Sequence, residues 1–147
     1  MTAPTAIERL DVWGAIAQLP FCMLTTSTGA ALRSRPMAPI IDAEHREIRF
    51  LTRLSSHKIH EIAEDAQVNL AFFDPHGHAF ISVSGRAAVV REPAQIAALW
   101  NKDADLWFPE GPHSADVALV RVMAQSAERW DRAPEHNTYA WISFTPV

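Results

Sequence analysis

The chain has 147 residues, of which 48% are hydrophobic and 20% are charged. These values exclude a disordered chain and are typical of a single globular domain, so we assign residues 1–147 to one domain. The net charge of -4 argues against a nucleic-acid-binding protein. No apolar run is long enough to span a membrane, and no signal-peptide pattern is present. The single cysteine cannot form an intrachain disulfide. We therefore expect a cytoplasmic protein without a membrane partner.

Short elements follow one another along the chain. Apolar periodicity and turn residues predict a helix over 6–18, strands over 21–26, 31–41 and 47–52, a helix capped by Ser55 or Ser56, strands over 67–73 and 78–90, a short helix from Pro93, a loop over 101–116, strands over 117–123 and 139–144, and an extension of one of them over 127–130. Pro36 and Pro39 interrupt the second strand, which we expect to be an edge or to leave backbone free for a ligand. Gly85 indicates a bulge or a close backbone approach. This series predicts a mainly β fold with flanking helices (α+β), arranged as a mostly antiparallel barrel.

Basic residues are concentrated in one part of this acidic chain. Six of the thirteen Lys and Arg residues lie between Arg33 and Lys58, which favours a small anionic ligand over a polyanion. Arg33 and Arg35 alternate with Ser34, so their side chains should point to the same face of a strand. The tripeptide Ser56–Lys58 lies where a helix should begin, and a helix N-terminus offers unpaired N–H groups to a phosphate. A solvated basic edge strand beside a capped helix explains the same pattern, and spacing alone favours that explanation.

Several short segments resemble, in their order and spacing, the flavin mononucleotide (FMN)-binding split-barrel family of pyridoxamine 5'-phosphate oxidase-like proteins, and most closely its general-stress-protein branch. These segments are residues 23–26, 33–37, 50–52, 56–59, 67–72, 83–87, 99–100, 108–111 and 128–130. The order of elements is similar from about residue 7 to residue 130. The resemblance implies a split β-barrel that forms a homodimer, with FMN bound at the subunit interface.

The resemblance also implies a set of FMN-binding residues. In it, the segment Arg35 to Met37 runs along the flavin ring and its side chain, and Leu51 and Thr52 contact the ring edge or the ribityl chain. Lys58 would hold the phosphate with His57, where relatives often carry Arg. Because an ordinary imidazole is mostly neutral at pH 7, this phosphate clamp should be weaker than theirs. The full set of candidate cofactor-binding residues is Arg33, Ser34, Arg35, Pro36, Met37, Leu51, Thr52, Ser56, His57, Lys58 and Trp107.

An aromatic pair and a histidine pair are two further candidates for a functional role. Trp107 and Phe108 are large aromatics in a predicted loop, and because such exposure is costly, we expect them to pack at the partner subunit or over the flavin rather than in an intrachain cluster. His76 and His78 flank a turn, but no third ligand lies nearby in the sequence, so we expect no metal site.

The first functional hypothesis is an FMN-dependent oxidoreductase that works by hydride or electron transfer at the flavin. No side chain is identified as a general acid or base, so the catalytic residues are unknown. The alternatives are a non-catalytic flavin-binding or stress-sensing module, and a split barrel that uses the deazaflavin F420 or haem. We do not expect a pyridoxamine 5'-phosphate oxidase, because Arg132 and His136 do not match the closely spaced Arg and His that this enzyme carries near its C-terminus.

Overall fold

The structure, a computed structural model, describes residues 11–144. Its elements, in chain order, are α1 (Val12–Ile16), β1 (Cys22–Ser27), β2 (Leu32–Met37), β3 (Ile40–Asp42), β4 (Glu47–Arg53), α2 (His57–Glu64), β5 (Gln67–Asp74), β6 (Ala79–Val90), α3 (Pro93–Leu99), α4 (Lys102–Trp107), β7 (Val117–Ala133) and β8 (His136–Ser143). The strands form one sheet in the order β2-β1-β5-β6-β7-β4-β3, and β8 pairs with β7. Every pairing is antiparallel, which confirms the predicted mainly β fold with flanking helices.

The main core lies on the inner face of this sheet. Strand alternation places Ile48 and Phe50 of β4, and Ile81 and Val83 of β6, on that face, where all four are buried. The helix α2 packs against β1 and β6. Cys22 is buried in the same core, and burial raises the pKa of its thiol to about 12. This cysteine is therefore a small core residue rather than a reactive thiol.

A second, smaller core lies between the sheet and the helices α3 and α4. Ile96, Ala104, Phe108, Val117 and Leu119 form it. The prediction of a loop over residues 101–116 was therefore partly wrong, because α4 occupies Lys102–Trp107. The expectation that Phe108 packs on the flavin or on a partner subunit was also wrong, because this ring is buried within the chain, 5.8 Å from the ring of Trp100.

The α4 helix has a start signal that apolar periodicity does not detect. The side chain of Asn101 accepts a hydrogen bond from the backbone N–H of Ala104 at 2.8 Å, which caps the helix. Asp103 and Asp105 then place negative charge in the first turn, where the helix dipole favours it.

Three element boundaries differ from the predictions. The predicted strand over residues 31–41 is two strands, β2 and β3, which lie at opposite edges of the sheet. The two segments predicted over 117–123 and 127–130 are parts of one 17-residue strand, β7. In the described residues, the first helix spans Val12–Ile16 and so ends before the predicted end at residue 18. Asp11 precedes it and accepts from the N–H of Gly14 at 2.9 Å, and residues 6–10 of the predicted helix lie outside the described residues.

Gly85 lies at a β-bulge and at a close approach of two backbones, the two features that a glycine within a strand predicts. The register between β6 and β7 shifts between Ser84 and Gly85, which marks a bulge. A Cβ atom at Gly85 would also collide with the backbone carbonyl oxygen of Met123. The glycine therefore lets two backbones approach closely at the irregular point of the longest strand pair.

Candidate functional site

Arg33 and Arg35 extend from the same face of β2 toward α2, as strand alternation predicts. Arg35 donates from Nη2 to Oε2 of Glu61 at 3.1 Å, and Nε of Arg33 lies 3.8 Å from Oε1 of the same carboxylate. From Nη1, Arg35 also donates to Oγ1 of Thr26 at 2.8 Å and to the carbonyl oxygen of Leu24 at 3.2 Å. Arg35 is thus held by acceptors of its own chain, whereas the side chain of Arg33 is 54% exposed.

Glu61 is the buried carboxylate at the centre of this network, and the sequence analysis did not identify it. It is 8% exposed and accepts hydrogen bonds from Thr26 and Arg35. These bonds, that of Thr26 first, hold the pKa of Glu61 below its ordinary value although burial acts in the opposite direction. Its neighbour Ile62 is a core residue of α2.

Lys58 lies one helical turn before Glu61 on α2. Its Nζ donates to Oγ1 of Thr52, a buried residue of β4, at 2.8 Å. Partial burial lowers the pKa of Lys58, the charge of Arg35 lowers it further, and the charge of Glu61 raises it. Two cations of β2, Arg33 and Arg35, thus contact the Glu61 carboxylate, and Lys58 of α2 interacts with it electrostatically.

The N-terminus of α2 opens beside this cluster. Ser56 occupies the N-cap position, as predicted, but its hydroxyl donates to the carbonyl oxygen of Arg53 at 2.8 Å and does not cap the helix. Among the described residues, the backbone N–H groups of His57 and Lys58 have no acceptor, and the side chain of His57 is exposed. Free N–H groups at a helix start, next to a lysine, form a suitable place for a phosphate.

Arg53, at the end of β4, forms hydrogen bonds with the last residue of α4 and with the segment that follows it. It donates from Nη1 to Oε1 of Glu110 at 2.9 Å and from Nη2 to the carbonyl oxygen of Trp107 at 3.1 Å. Its guanidinium also lies over the ring of Phe108, 5.2 Å from the centroid. The backbone of Trp107 is thereby held near the turn that precedes α2, whereas its side chain remains 64% exposed.

Asp116 completes this attachment from the other end of the segment. Its side chain accepts from the backbone N–H of Ser55 at 3.0 Å and from the hydroxyl of Ser55 at 3.2 Å. Its backbone carbonyl accepts from the N–H of Leu54 at 2.8 Å. The turn that leads into the candidate phosphate site is therefore fixed by contacts from a distant part of the chain.

The other predicted site residues do not all face this cluster. Ser34 points to the opposite face of β2, where its hydroxyl lies 2.5 Å from that of Thr25. Pro36 is exposed, Met37 packs against the main core, and Leu51 packs against the second core. The structure thus brings together Arg33, Arg35, Thr52, Ser56, His57 and Lys58 around the start of α2. A ligand that also contacts Ser34 would have to reach around the edge strand β2.

Aromatic side chains line one row across the outer face of the sheet. Phe73, Phe80, Trp130 and Tyr139 are successive cross-strand partners on β5, β6, β7 and β8, and we name them the aromatic row. The rings of Phe73 and Phe80 lie 4.7 Å apart between centroids, and those of Trp130 and Tyr139 lie 5.5 Å apart. Phe73, Phe80 and Tyr139 are each between 44% and 50% exposed. This row is a wide apolar surface on the described part of the chain.

Two further observations concern metals and membranes. Within residues 11–144, no group of three His, Cys, Asp or Glu side chains is arranged to hold a metal ion. The helices of that same range are all too short or too polar to cross a membrane.

The fold is shared with several solved structures. They include the general stress FMN/FAD binding protein of Xanthomonas citri, which is 24% identical over 97% of this chain and 98% of that chain, with a TM-score of 0.76. A Clostridium acetobutylicum protein related to general stress protein 26 is 13% identical over 89% of this chain and 90% of that chain, with a TM-score of 0.77. A pyridoxamine 5'-phosphate oxidase-related, FMN binding protein of Nostoc punctiforme is 13% identical over 95% and 94%, with a TM-score of 0.67. These likenesses confirm the predicted split-barrel fold.

The sequence comparisons give one negative and one positive result. No curated protein sequence matches the chain. The sequence profile described as "Pyridoxamine 5'-phosphate oxidase like" matches residues 8–145, which is nearly the whole chain. The chain therefore belongs to the pyridoxamine 5'-phosphate oxidase-like family, as its motifs predict.

Proposed function

We propose that this protein binds FMN and holds the phosphate of FMN at the start of α2. The observation that carries the proposal is the convergence of Lys58, Arg33 and Arg35 beside free N–H groups at the α2 N-terminus. A phosphate monoester carries nearly two negative charges at pH 7 and needs fixed donors of this kind. The names of the Xanthomonas citri and Nostoc punctiforme proteins, which refer to FMN or FAD, support the choice of a flavin.

The residues around the phosphate have separate roles in this proposal. Lys58 supplies a half-buried charge, and the N–H groups of His57 and Lys58 supply directed donors. Arg33, whose guanidinium is largely exposed, can turn to the ligand without leaving a buried cavity. The proposed flavin ring and ribityl chain lie toward Pro36, Met37, Leu51 and Thr52, as the family resemblance implies.

We further propose that two copies of the chain associate through the aromatic row. The exposed rings of Phe73, Phe80 and Tyr139 form a continuous apolar surface, and covering such a surface is favourable. Trp107 and its neighbour Leu106, which is 81% exposed, add apolar surface on the segment next to the candidate phosphate site. In a dimer this segment can approach the flavin of the partner subunit, because the family resemblance implies that FMN lies at the subunit interface.

The function that we propose is oxidoreduction at the flavin. Bound FMN supplies hydride or single-electron transfer, and the protein supplies its position and electrostatic surroundings. Reduction of the FMN-loaded protein by NADPH or NADH under anaerobic conditions, followed by reoxidation, is expected. A protein that holds FMN but cannot be reduced by either donor would instead be a flavin-binding module.

Two further predictions limit this proposal. The FMN-loaded protein should not convert pyridoxamine or pyridoxine 5'-phosphate to pyridoxal 5'-phosphate, because the basic residues that the chain concentrates are already assigned to FMN. A rate typical of enzymes in that assay would contradict this prediction. The cytoplasm remains our predicted location, because a single cysteine allows no intrachain disulfide and gives no reason to assign an oxidising compartment.

The identity of the cofactor can be tested on the protein as it is isolated. Mass spectrometry of the small molecule released from native protein should give the mass of FMN, and the protein should be yellow. Release of F420 or haem would overturn the choice of cofactor.

A further inference from the structure

The Glu61 carboxylate is unexpected in a site proposed to bind a phosphate, because it repels the ligand. It nevertheless contacts three residues of the cluster, Thr26, Arg33 and Arg35. We propose that Glu61 is a positioning residue: it is the internal counter-ion that fixes Arg35 and allows Arg35 and Lys58 to lie close together as two cations that receive one phosphate. This inference rests on the phosphate site proposed above.

The first reason is the way in which Arg35 is held. Its three acceptors are the Leu24 carbonyl, the Thr26 hydroxyl and the Glu61 carboxylate, and only Glu61 carries a charge. Thr26 itself donates to Glu61, so its hydroxyl is oriented by the same carboxylate. Without the charge of Glu61, Arg35 would keep only neutral acceptors in a partly buried position, which is a costly place for a cation.

The second reason is the electrostatic relation between Arg35 and Lys58. Lys58 donates to Thr52 of β4, and it interacts electrostatically with Arg35 of β2 and with Glu61 of its own helix. The charge of Arg35 disfavours the protonated form of Lys58, and the charge of Glu61 favours it. Glu61 therefore offsets the repulsion that two neighbouring cations would otherwise experience before a ligand arrives.

The Glu61→Gln substitution separates charge from shape, because glutamine has the same size and keeps one acceptor oxygen. The matched control is Glu64→Gln, three residues further along α2, where the side chain is exposed and has no ion pair among the described residues. The first readout uses protein without flavin: the titration of the Lys58 ammonium followed by NMR. We expect the midpoint of this titration to fall in Glu61→Gln and to stay unchanged in Glu64→Gln.

The second readout is the affinity for FMN at pH 7 and at pH 9, a range in which the phosphate remains a dianion. The loss of affinity between these two pH values should be greater in Glu61→Gln than in the wild type, because Lys58 loses its proton more readily. Adding Lys58→Arg to Glu61→Gln should remove this extra loss, because a guanidinium stays charged throughout. A residue that only stabilised the helix would not produce a pH-dependent loss that the Lys58→Arg substitution cancels.

An unchanged Lys58 midpoint in Glu61→Gln would overturn the inference. If Glu61→Gln does not fold, Arg35→Gln tests the repulsion between Arg35 and Lys58 that Glu61 is proposed to offset. Removal of the Arg35 charge should raise the midpoint of the Lys58 titration. An unchanged midpoint in Arg35→Gln would also overturn it. Failure of the wild-type protein to bind FMN would contradict the proposed function, and the NMR titrations, which need no flavin, would still decide the role of Glu61.

Discussion

The Nζ atom of Lys58 lies 2.8 Å from Oγ1 of Thr52, and this hydrogen bond joins the first turn of α2 to the buried side of β4. Thr52 is buried in the sheet, so it offers Lys58 a fixed acceptor. The ammonium is consequently held next to the free N–H groups of the helix start, with little freedom to turn into solvent. A cation that is already placed loses less conformational entropy when it binds a ligand.

Replacing Lys58 should therefore weaken the binding of FMN. We expect Lys58→Ala to lower the affinity by about 1.5–3 kcal/mol, the range for a hydrogen bond to a charged group. Quenching of flavin fluorescence during a titration measures this change. Lys102→Ala, which removes an exposed lysine of α4, is the matched control and should bind as the wild type does. Equal affinities for the wild type and Lys58→Ala would remove Lys58 from the site.

Glu47 is a second buried carboxylate, and it stabilises the fold at a place remote from α2. It accepts from Arg121 at 2.6 Å and from Arg49 at 2.8 Å, and these bonds, that of Arg121 first, hold its pKa below the ordinary value. A lowered pKa in the folded state means that the stabilisation is complete above the unfolded-state value, about 4.3, and is lost as the pH falls through the folded-state value.

Glu47→Gln should consequently reduce stability at pH 7 by about 1.5–3 kcal/mol. The difference between this variant and the wild type should shrink as the pH is lowered below about 4.3, because the unfolded wild-type chain then binds a proton at Glu47, and the folded protein does so at lower pH. Urea unfolding at a series of pH values measures both effects. Glu44→Gln, in the exposed β3–β4 turn, serves as the control. A constant difference from pH 7 to pH 3 would show that the charge of Glu47 is not what stabilises the fold.

The aromatic row should be the surface that joins two subunits. Phe80 lies between Phe73 and Trp130 in cross-strand register, so Phe80→Arg places a charge within the row. We expect the wild type to sediment as a dimer at micromolar concentration and Phe80→Arg to sediment as a monomer, because burying an unpaired charge is costly. Ala97→Arg, on the exposed side of α3, should remain a dimer. A wild-type monomer would exclude the interface altogether.

Gly85 should be intolerant of a side chain. In Gly85→Ala, the added Cβ meets the carbonyl oxygen of Met123, and the two backbones must separate. We expect a loss of about 1–3 kcal/mol, as for other overpacked positions, measured by urea unfolding. Arg86→Ala, at the neighbouring exposed position, adds no atom and should cost much less. Wild-type stability in Gly85→Ala would mean that the bulge can relax without loss.

The elements that were predicted well are those whose signal is local. Apolar periodicity correctly indicated the strand over residues 47–52, observed as Glu47–Arg53, and alternation with Ser34 correctly oriented Arg33 and Arg35. The split of the second predicted strand was missed, because Pro39 marks an interruption but not the edge at which the chain resumes. The α4 helix was missed because its six residues carry too few apolar positions for a periodic signal, and its Asn101 cap was not recognised.

The parts of the site that were missed depend on long-range contacts. Glu61 was not identified, because its arginine partners lie 26 and 28 positions earlier in the chain. The attachment of Trp107 to Arg53 joins residues that are separated by 54 positions. Neither pairing has a local spacing that could reveal it, since both depend on the order of strands in the sheet.

The central claim is that the start of α2 recognises the phosphate of FMN. It is tested most directly by titrating flavin-free protein with FMN and, separately, with riboflavin, which has the same ring and ribityl chain but no phosphate. We predict that FMN binds about 100-fold more tightly or better, as expected when two or more hydrogen bonds to a charged group are lost with the phosphate. Equal affinities for FMN and riboflavin, or no binding of either flavin, would contradict the account.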